Sequence, residues 1–334
     1  MNWALSVFIF LSGVVGCRAN ADTSYFNSQP LLFVSTDGEF TAPNEKYPQR
    51  LMPFWQNAPV GAYVSVGTER GFIGAANSPN ATDLILIDTD SAAVAYNQIN
   101  ALLLRTANDR KDYLRLRLRP NLDEWTKSAA RAELKPSETH YLLEQLQSWK
   151  KQVATHRKFK NFHREQRGFL AQFGAANYLY NDAAFAKIQS LAKADKIKVV
   201  RLELSHPDEV LRLTQTMEKE HINLSVLDLS NAWWHMYVDR KALVRDLEIF
   251  DFLTNQQSLL ITSGYRWAGA IDLILDHTAA PFQYSVYSFE YIRKFKSMNR
   301  FIHSLHWSRF KLRRHPSFYH RHDQFWQSCR DLLS

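Results

Sequence analysis

Short runs rich in apolar residues recur along the chain, most of them followed by a stretch with helical periodicity. The first is Gly61-Ala62-Tyr63-Val64-Ser65-Val66-Gly67, and the second is Asp83-Leu84-Ile85-Leu86-Ile87-Asp88. Further runs fall at Ile197 to Leu204, Leu224 to Leu229, Ser258 to Ser263 and Phe282 to Tyr287. Between them, helical patterns are expected at 72–77, 91–107, 182–194, 207–220 and 238–250. A continuous apolar run such as Leu84 to Ile87 suits a strand covered on both faces, as in parallel sheets, and parallel neighbours require a crossover, usually helical. The expectation is therefore an α/β fold with a doubly wound, mostly parallel, Rossmann-like sheet over residues 61–290. Residues 108–180 hold helical stretches and no convincing strand, so they are expected to be a helical insertion covering one edge or the mouth of the sheet.

The residues before Gly61 read differently. Trp3 to Val15 is an apolar run too short to span a bilayer comfortably. It matches the hydrophobic region of a secretory signal, although Met1-Asn2 supplies no basic residue. Ala19-Asn20-Ala21 would release a chain starting at Asp22. Val14-Val15-Gly16-Cys17 resembles a lipobox that would leave Cys17 lipidated. The expectation is a signal over 1–21 and export to the periplasm, the cell envelope or the medium, with a short packed N-terminal segment as the alternative. Residues 22–60, rich in Pro, Asn, Ser and Thr, read as an extended arm. With 2 cysteines in the chain, a disulfide framework and a thiolate zinc site are both excluded. Hydrophobic residues at 46% and charged residues at 22% exclude wholesale disorder.

In a doubly wound sheet, ligands bind beyond the carboxyl ends of the strands, where the strand order reverses. The first strand ends in Gly67-Thr68-Glu69-Arg70-Gly71, whose glycines allow close backbone approach to a ligand. The second ends in Asp88-Thr89-Asp90. A carboxylate about 20 residues after such a glycine is placed to accept hydrogen bonds from ribose hydroxyls. The G-x-G-x-x-G pattern is absent, so pyrophosphate binding is not favoured, whereas S-adenosylmethionine carries ribose and adenine without phosphate. The competing reading makes the glycines turn residues and Asp88 or Asp90 the cap of the following helix.

The segment from Tyr63 to Ala76, followed by Leu86-Ile87-Asp88-Thr89-Asp90, resembles a poorly characterised bacterial family related in fold to class I S-adenosylmethionine-dependent methyltransferases. Asp109-Arg110-Lys111-Asp112-Tyr113-Leu114 and Leu227-Asp228-Leu229-Ser230-Asn231-Ala232 match later elements of that family in order. The likeness spans about residues 60–265. It implies a cofactor site made by Gly67, Thr68, Glu69 and Gly71, with Asp88 or Asp90 at the ribose and Glu203 toward the adenine edge. Ser230 and Asn231 would stand on the substrate side, or else cap a helix before Trp233. Two departures fall at this site: Thr68-Glu69-Arg70-Gly71 replaces Ser-Asp-Gln-Asn, and Trp233 replaces an acid.

No metal is expected. His303 with His306, and His320 with His322, lack the accompanying ligands of known metal motifs. From Arg293 to His322 there are nine Lys/Arg and no acid, in a chain whose net charge is +8. Trp307, Phe310, Phe318 and Tyr319 are interleaved with them. Residues 291–334 are thus expected to be a basic helical segment, either solvated or facing an anionic lipid or polysaccharide. Nucleic acid becomes the partner if the chain stays in the cytoplasm. Export and methyl transfer conflict, since S-adenosylmethionine is made in the cytoplasm. The readings left open are a methyltransferase-like protein with or without activity, and a non-catalytic exported protein that holds an anionic partner through its basic end.

Overall fold

The computed structural model describes residues 48–155, 176–234, 237–265 and 282–311. Six strands form one sheet: β1 (Gly61–Val66), β2 (Ala81–Asp88), β3 (Ile197–Arg201), β4 (Leu224–Ser230), β5 (Thr254–Tyr265) and β6 (Phe282–Ser288). Their spatial order is β3-β2-β1-β4-β5-β6, with every neighbouring pair parallel except β5 and β6, which are antiparallel. The chain runs outward from β1 through β2 to β3, then crosses back to β4 on the other side of β1. That reversal puts the switch point between β1 and β4.

Alternation along the strands feeds two separate cores. Tyr63, Leu84, Leu86 and Val226 face one helical layer, while Ala62, Val64, Ile85, Ile87 and Leu227 face the other. The first layer holds α1 (Met52–Gln56), α2 (Glu69–Asn77), α3 (Ser91–Thr106), α4 (Arg110–Leu118), α5 (Leu122–Arg131), α6 (Pro136–Thr155) and α7 (Asp182–Lys193). The second holds α8 (Pro207–Lys219), α9 (Arg240–Asp251), α10 (Phe289–Arg293) and α11 (Met298–Lys311).

One expectation needs correction. The described end of the supposed extended arm is helical: a 3-10 turn at Pro48–Leu51 leads into α1. Trp55 of α1 is fully buried, and its indole N–H donates to the Tyr63 hydroxyl at 3.1 Å. A buried tryptophan with its polar edge satisfied anchors a segment that polar composition alone marks as loose. The described helices of the 108–180 stretch pack on α3 as an outer layer. Tryptophans seal that contact: Trp149 stacks on Tyr96 at 5.3 Å and donates to the Arg117 carbonyl at 2.8 Å, while Trp125 donates to the Leu116 carbonyl at 2.9 Å. The signal region with Cys17, and the basic segment beyond residue 311, lie outside the described residues. Among the described residues no helix is long and apolar enough to cross a membrane.

Helix α2 lies unusually close to the sheet because two glycines face it. A Cβ on Gly71 would sit 2.4 Å from Leu86 Cδ2 and 3.0 Å from Ser65 Cβ, and one on Gly74 would sit 2.1 Å from the Tyr63 hydroxyl. Tyr63 cannot swing away, since Trp55 and Asp228 hold its hydroxyl. Gly74→Ala is therefore expected to destabilise the protein by about 1–3 kcal/mol through overpacking. Urea unfolding measures it, and an unchanged midpoint would refute this account of the packing.

Candidate functional site

The carboxyl ends of β1, β2 and β4 lie side by side, which brings Gly67, Asp88 and Ser230 to one rim of the sheet. Gly67 follows β1 with φ +93°, a left-handed conformation that L side chains rarely adopt. Its N–H donates to the Ile87 carbonyl at 3.2 Å, and its carbonyl accepts from Asn97 Nδ2 at 2.9 Å. A Cβ built on Gly67 would meet nothing within 4 Å. Conformation rather than crowding thus selects glycine here, and open space borders the backbone at the strand end. Thr68 stands at the cap position of α2 and is buried.

Asp88 is the last residue of β2 and is half-buried. Burial pushes its carboxyl up to about 6, although the backbone N–H groups of Asp90, Thr89 and Gly67 favour the charged form. The Asp90 N–H donates to Asp88 Oδ1 at 2.9 Å. Asp90 itself caps α3, accepting the Ala92 N–H at 2.7 Å. Of the two candidate acids, Asp90 is thus committed to helix capping, while Asp88 ends β2 beside the loop after β1. Glu203 lies two residues beyond β3, and the neighbouring Leu202 N–H donates to the Asp88 carbonyl at 2.9 Å. The Glu203 carboxylate accepts the Ser205 hydroxyl, and the Glu203 N–H donates to Glu209 at 2.9 Å.

On the β4 side Ser230 adopts φ +51°, and its N–H donates to Asp228 Oδ1 at 3.1 Å. Asn231 follows, half-buried. Trp233 and Trp234 both donate their indole N–H to the Ser263 carbonyl, at 2.8 and 3.2 Å. They bind this turn to β5.

Two residues expected to line a cofactor have other work. Gly71 sits inside α2 against Ser65 and Leu86, so it serves helix–sheet packing. Glu69 is fully buried, and both of its oxygens are engaged. Tyr96 and Arg117 donate to Oε1, the tyrosine at 2.6 Å, and Tyr178 donates to Oε2 at 2.8 Å. Arg117 in turn donates to Asn100 Oδ1 at 2.8 Å and to the Tyr113 hydroxyl at 2.7 Å. Burial opposes its charge, but Glu69 and the surrounding tyrosines hold the guanidinium firmly protonated.

A second buried ion pair went unread in the sequence. Arg70 Nε lies 2.8 Å from both Asp228 oxygens, with its guanidinium over the Tyr284 ring at 4.8 Å. The signal was there: Asp228 is the one charged residue in a central strand otherwise made of apolar residues and serines, and buried charges are paired. Asn97 is a further omission, a polar group on the buried face of α3 that reaches the Gly67 carbonyl. No group of three or more His, Cys, Asp or Glu among the described residues is placed to hold a metal.

Fold and rim together define a doubly wound α/β protein whose strand ends carry a left-handed glycine after β1, a carboxylate at the end of β2 and a left-handed serine at the end of β4. The chain belongs to the family described as a domain of unknown function, DUF7790, which matches residues 40–307. No curated protein matches the chain.

Proposed function

We propose that this is a methyltransferase-like protein that binds S-adenosylmethionine at the switch-point crevice. Gly67 and Thr68 stand on the methionine side, Asp88 at the ribose, Glu203 toward the adenine edge, and Ser230 and Asn231 on the acceptor side. The observation that supports it best is the pairing of Gly67, whose backbone borders open space, with Asp88 at the end of the adjoining strand. When bound, the cofactor supplies an electrophilic methyl group on a sulfonium. The protein's part is then chiefly positioning, with a base needed only for a protonated acceptor.

Asp88 gives the reading a pH signature. Its folded pKa of about 6 lies above the ordinary carboxylate value of 3.8. Folding therefore carries no penalty from it below about pH 4, an increasing one through pH 6, and about 3 kcal/mol above that. Two ribose hydroxyls donating to the ionised carboxylate would offset part of that penalty. Affinity for S-adenosylmethionine is expected to rise about tenfold from pH 5 to pH 7.5 and then level off, as the carboxylate ionises. Asp88→Asn should move stability and binding in opposite directions: more stable without ligand above pH 6, yet weaker for the cofactor by about 1–3 kcal/mol. Calorimetry of the folded chain with millimolar S-adenosylmethionine decides the matter, and absence of heat would eliminate the proposal.

A further inference from the structure

We propose that Asp228 is the positioning residue of this crevice: it holds Ser230 in its left-handed conformation and, through Arg70, ties that turn to the loop after β1. A left-handed serine is disfavoured by contact between Cβ and the following carbonyl, so something must stabilise it. The Asp228 carboxylate does so in the manner of an Asx-turn, accepting the N–H two residues on at 3.1 Å. The pairing of β4 with β5 shifts register between Asp228 and Ser230, so the turn begins where the ladder is interrupted.

The same two oxygens receive Arg70 Nε at 2.8 Å each, and Arg70 lies two residues after Thr68 in the first turn of α2. Tyr63 of β1 donates to Oδ2 at 2.9 Å, and Trp55 backs that hydroxyl. Asp228 is fully buried and Arg70 nearly so. One carboxylate therefore joins both lips of the crevice, the β1–α2 loop with Gly67 and Thr68 and the β4 turn with Ser230 and Asn231. A displacement of either lip must move that carboxylate and be felt at the other.

The ligand readout rests on the cofactor reading above, whereas the exchange readout does not. Hydrogen exchange of the full chain compares wild type with R70Q/D228N, which removes both charges together and leaves none buried alone. Exchange in peptides spanning 64–72 and 226–234 is expected to accelerate about tenfold, with β2 and β3 unchanged. Unchanged exchange at the two lips, or equal acceleration throughout, would overturn the proposal. Should R70Q/D228N not fold, Asp228→Glu preserves the charge balance while displacing the carboxylate from the Ser230 N–H. The same local acceleration is then expected, and its absence is equally decisive.

The second arm asks whether the conformation of Ser230 is what Asp228 controls. The paired substitution should weaken S-adenosylmethionine binding about tenfold in the wild-type background, and about twofold or less in an S230G background, where the left-handed backbone needs no support. An equal loss in both backgrounds would make Asp228 an ordinary core residue. If wild type binds no S-adenosylmethionine, the cofactor reading falls and the exchange result still decides the role of Asp228.

Discussion

Replacing Arg117 by methionine is expected to lower stability by about 3–5 kcal/mol, because it leaves Glu69 in the core without its counter-charge. Glu69 has no route to water: it is fully buried, with Tyr96 and Tyr178 closing over its oxygens. Two hydroxyl donors soften the loss but do not replace a cation. Arg117→Met combined with Glu69→Gln should regain most of the loss, since a neutral amide can keep both tyrosine hydroxyls as partners. Urea midpoints for the two single variants and the double variant give the coupling directly. A single variant that loses less than about 1 kcal/mol, or a double that loses the sum of the singles, would show that the pair is not the keystone described here.

The reach of that network explains why the buried partners of Glu69 are not legible in the sequence. An acid two residues past Gly67, at the start of a helix, looks like a rim group by local pattern alone. What decides its role is Arg117, 48 residues later, and Tyr178, 109 residues later. Nothing in the spacing announces that α4 and the segment before α7 will converge on the N-terminus of α2. Asp90 shows the opposite case. Its capping of α3 depends on residues within two positions, so the local pattern alone is enough to read it. The strands were legible for a related reason. Continuous apolar runs such as Leu84 to Ile87 are required by burial on both faces, and that requirement is local to each run. Strand direction is not. Residues 282–287 read as a strand, but the pattern carries no sign to distinguish parallel from antiparallel, and β6 lies antiparallel to β5.

Residues were missed for a similar reason. Arg70 and Asp228 are 158 positions apart, and neither residue alone identifies the other as its partner. Only the sheet order, which sets β4 beside β1 and under α2, makes them partners. Asp228 is the more instructive, since an acid within Val226-Leu227-Asp228-Leu229 is a violation of pattern whose cost the fold must offset. Such violations in central strands are where long-range pairs should be sought first.

Asp246→Asn is expected to stabilise the protein progressively with pH, from almost nothing near pH 4 to on the order of 5 kcal/mol near pH 8. Asp246 lies on the inward face of α9 with Ala242, Leu243, Leu247 and Phe250. Neither of its oxygens has a hydrogen-bond partner among the described residues. Burial first, and the negative charge of Asp239 second, push its carboxyl up to about 8 from 3.8. The folded chain thus retains a proton that the unfolded chain releases near pH 4. Stability falls as pH rises through the window between those values, and the loss is complete above the higher one. Asparagine has the same shape and no charge to desolvate, so the substitution removes the slope rather than the packing. Urea unfolding of both proteins at pH 4.5 and pH 8 isolates this group, because every other titration is common to the pair. A difference that does not grow with pH would mean that Asp246 is ionised and compensated in the folded chain. The contact of α9 with α11 would then be the place to look for the cation.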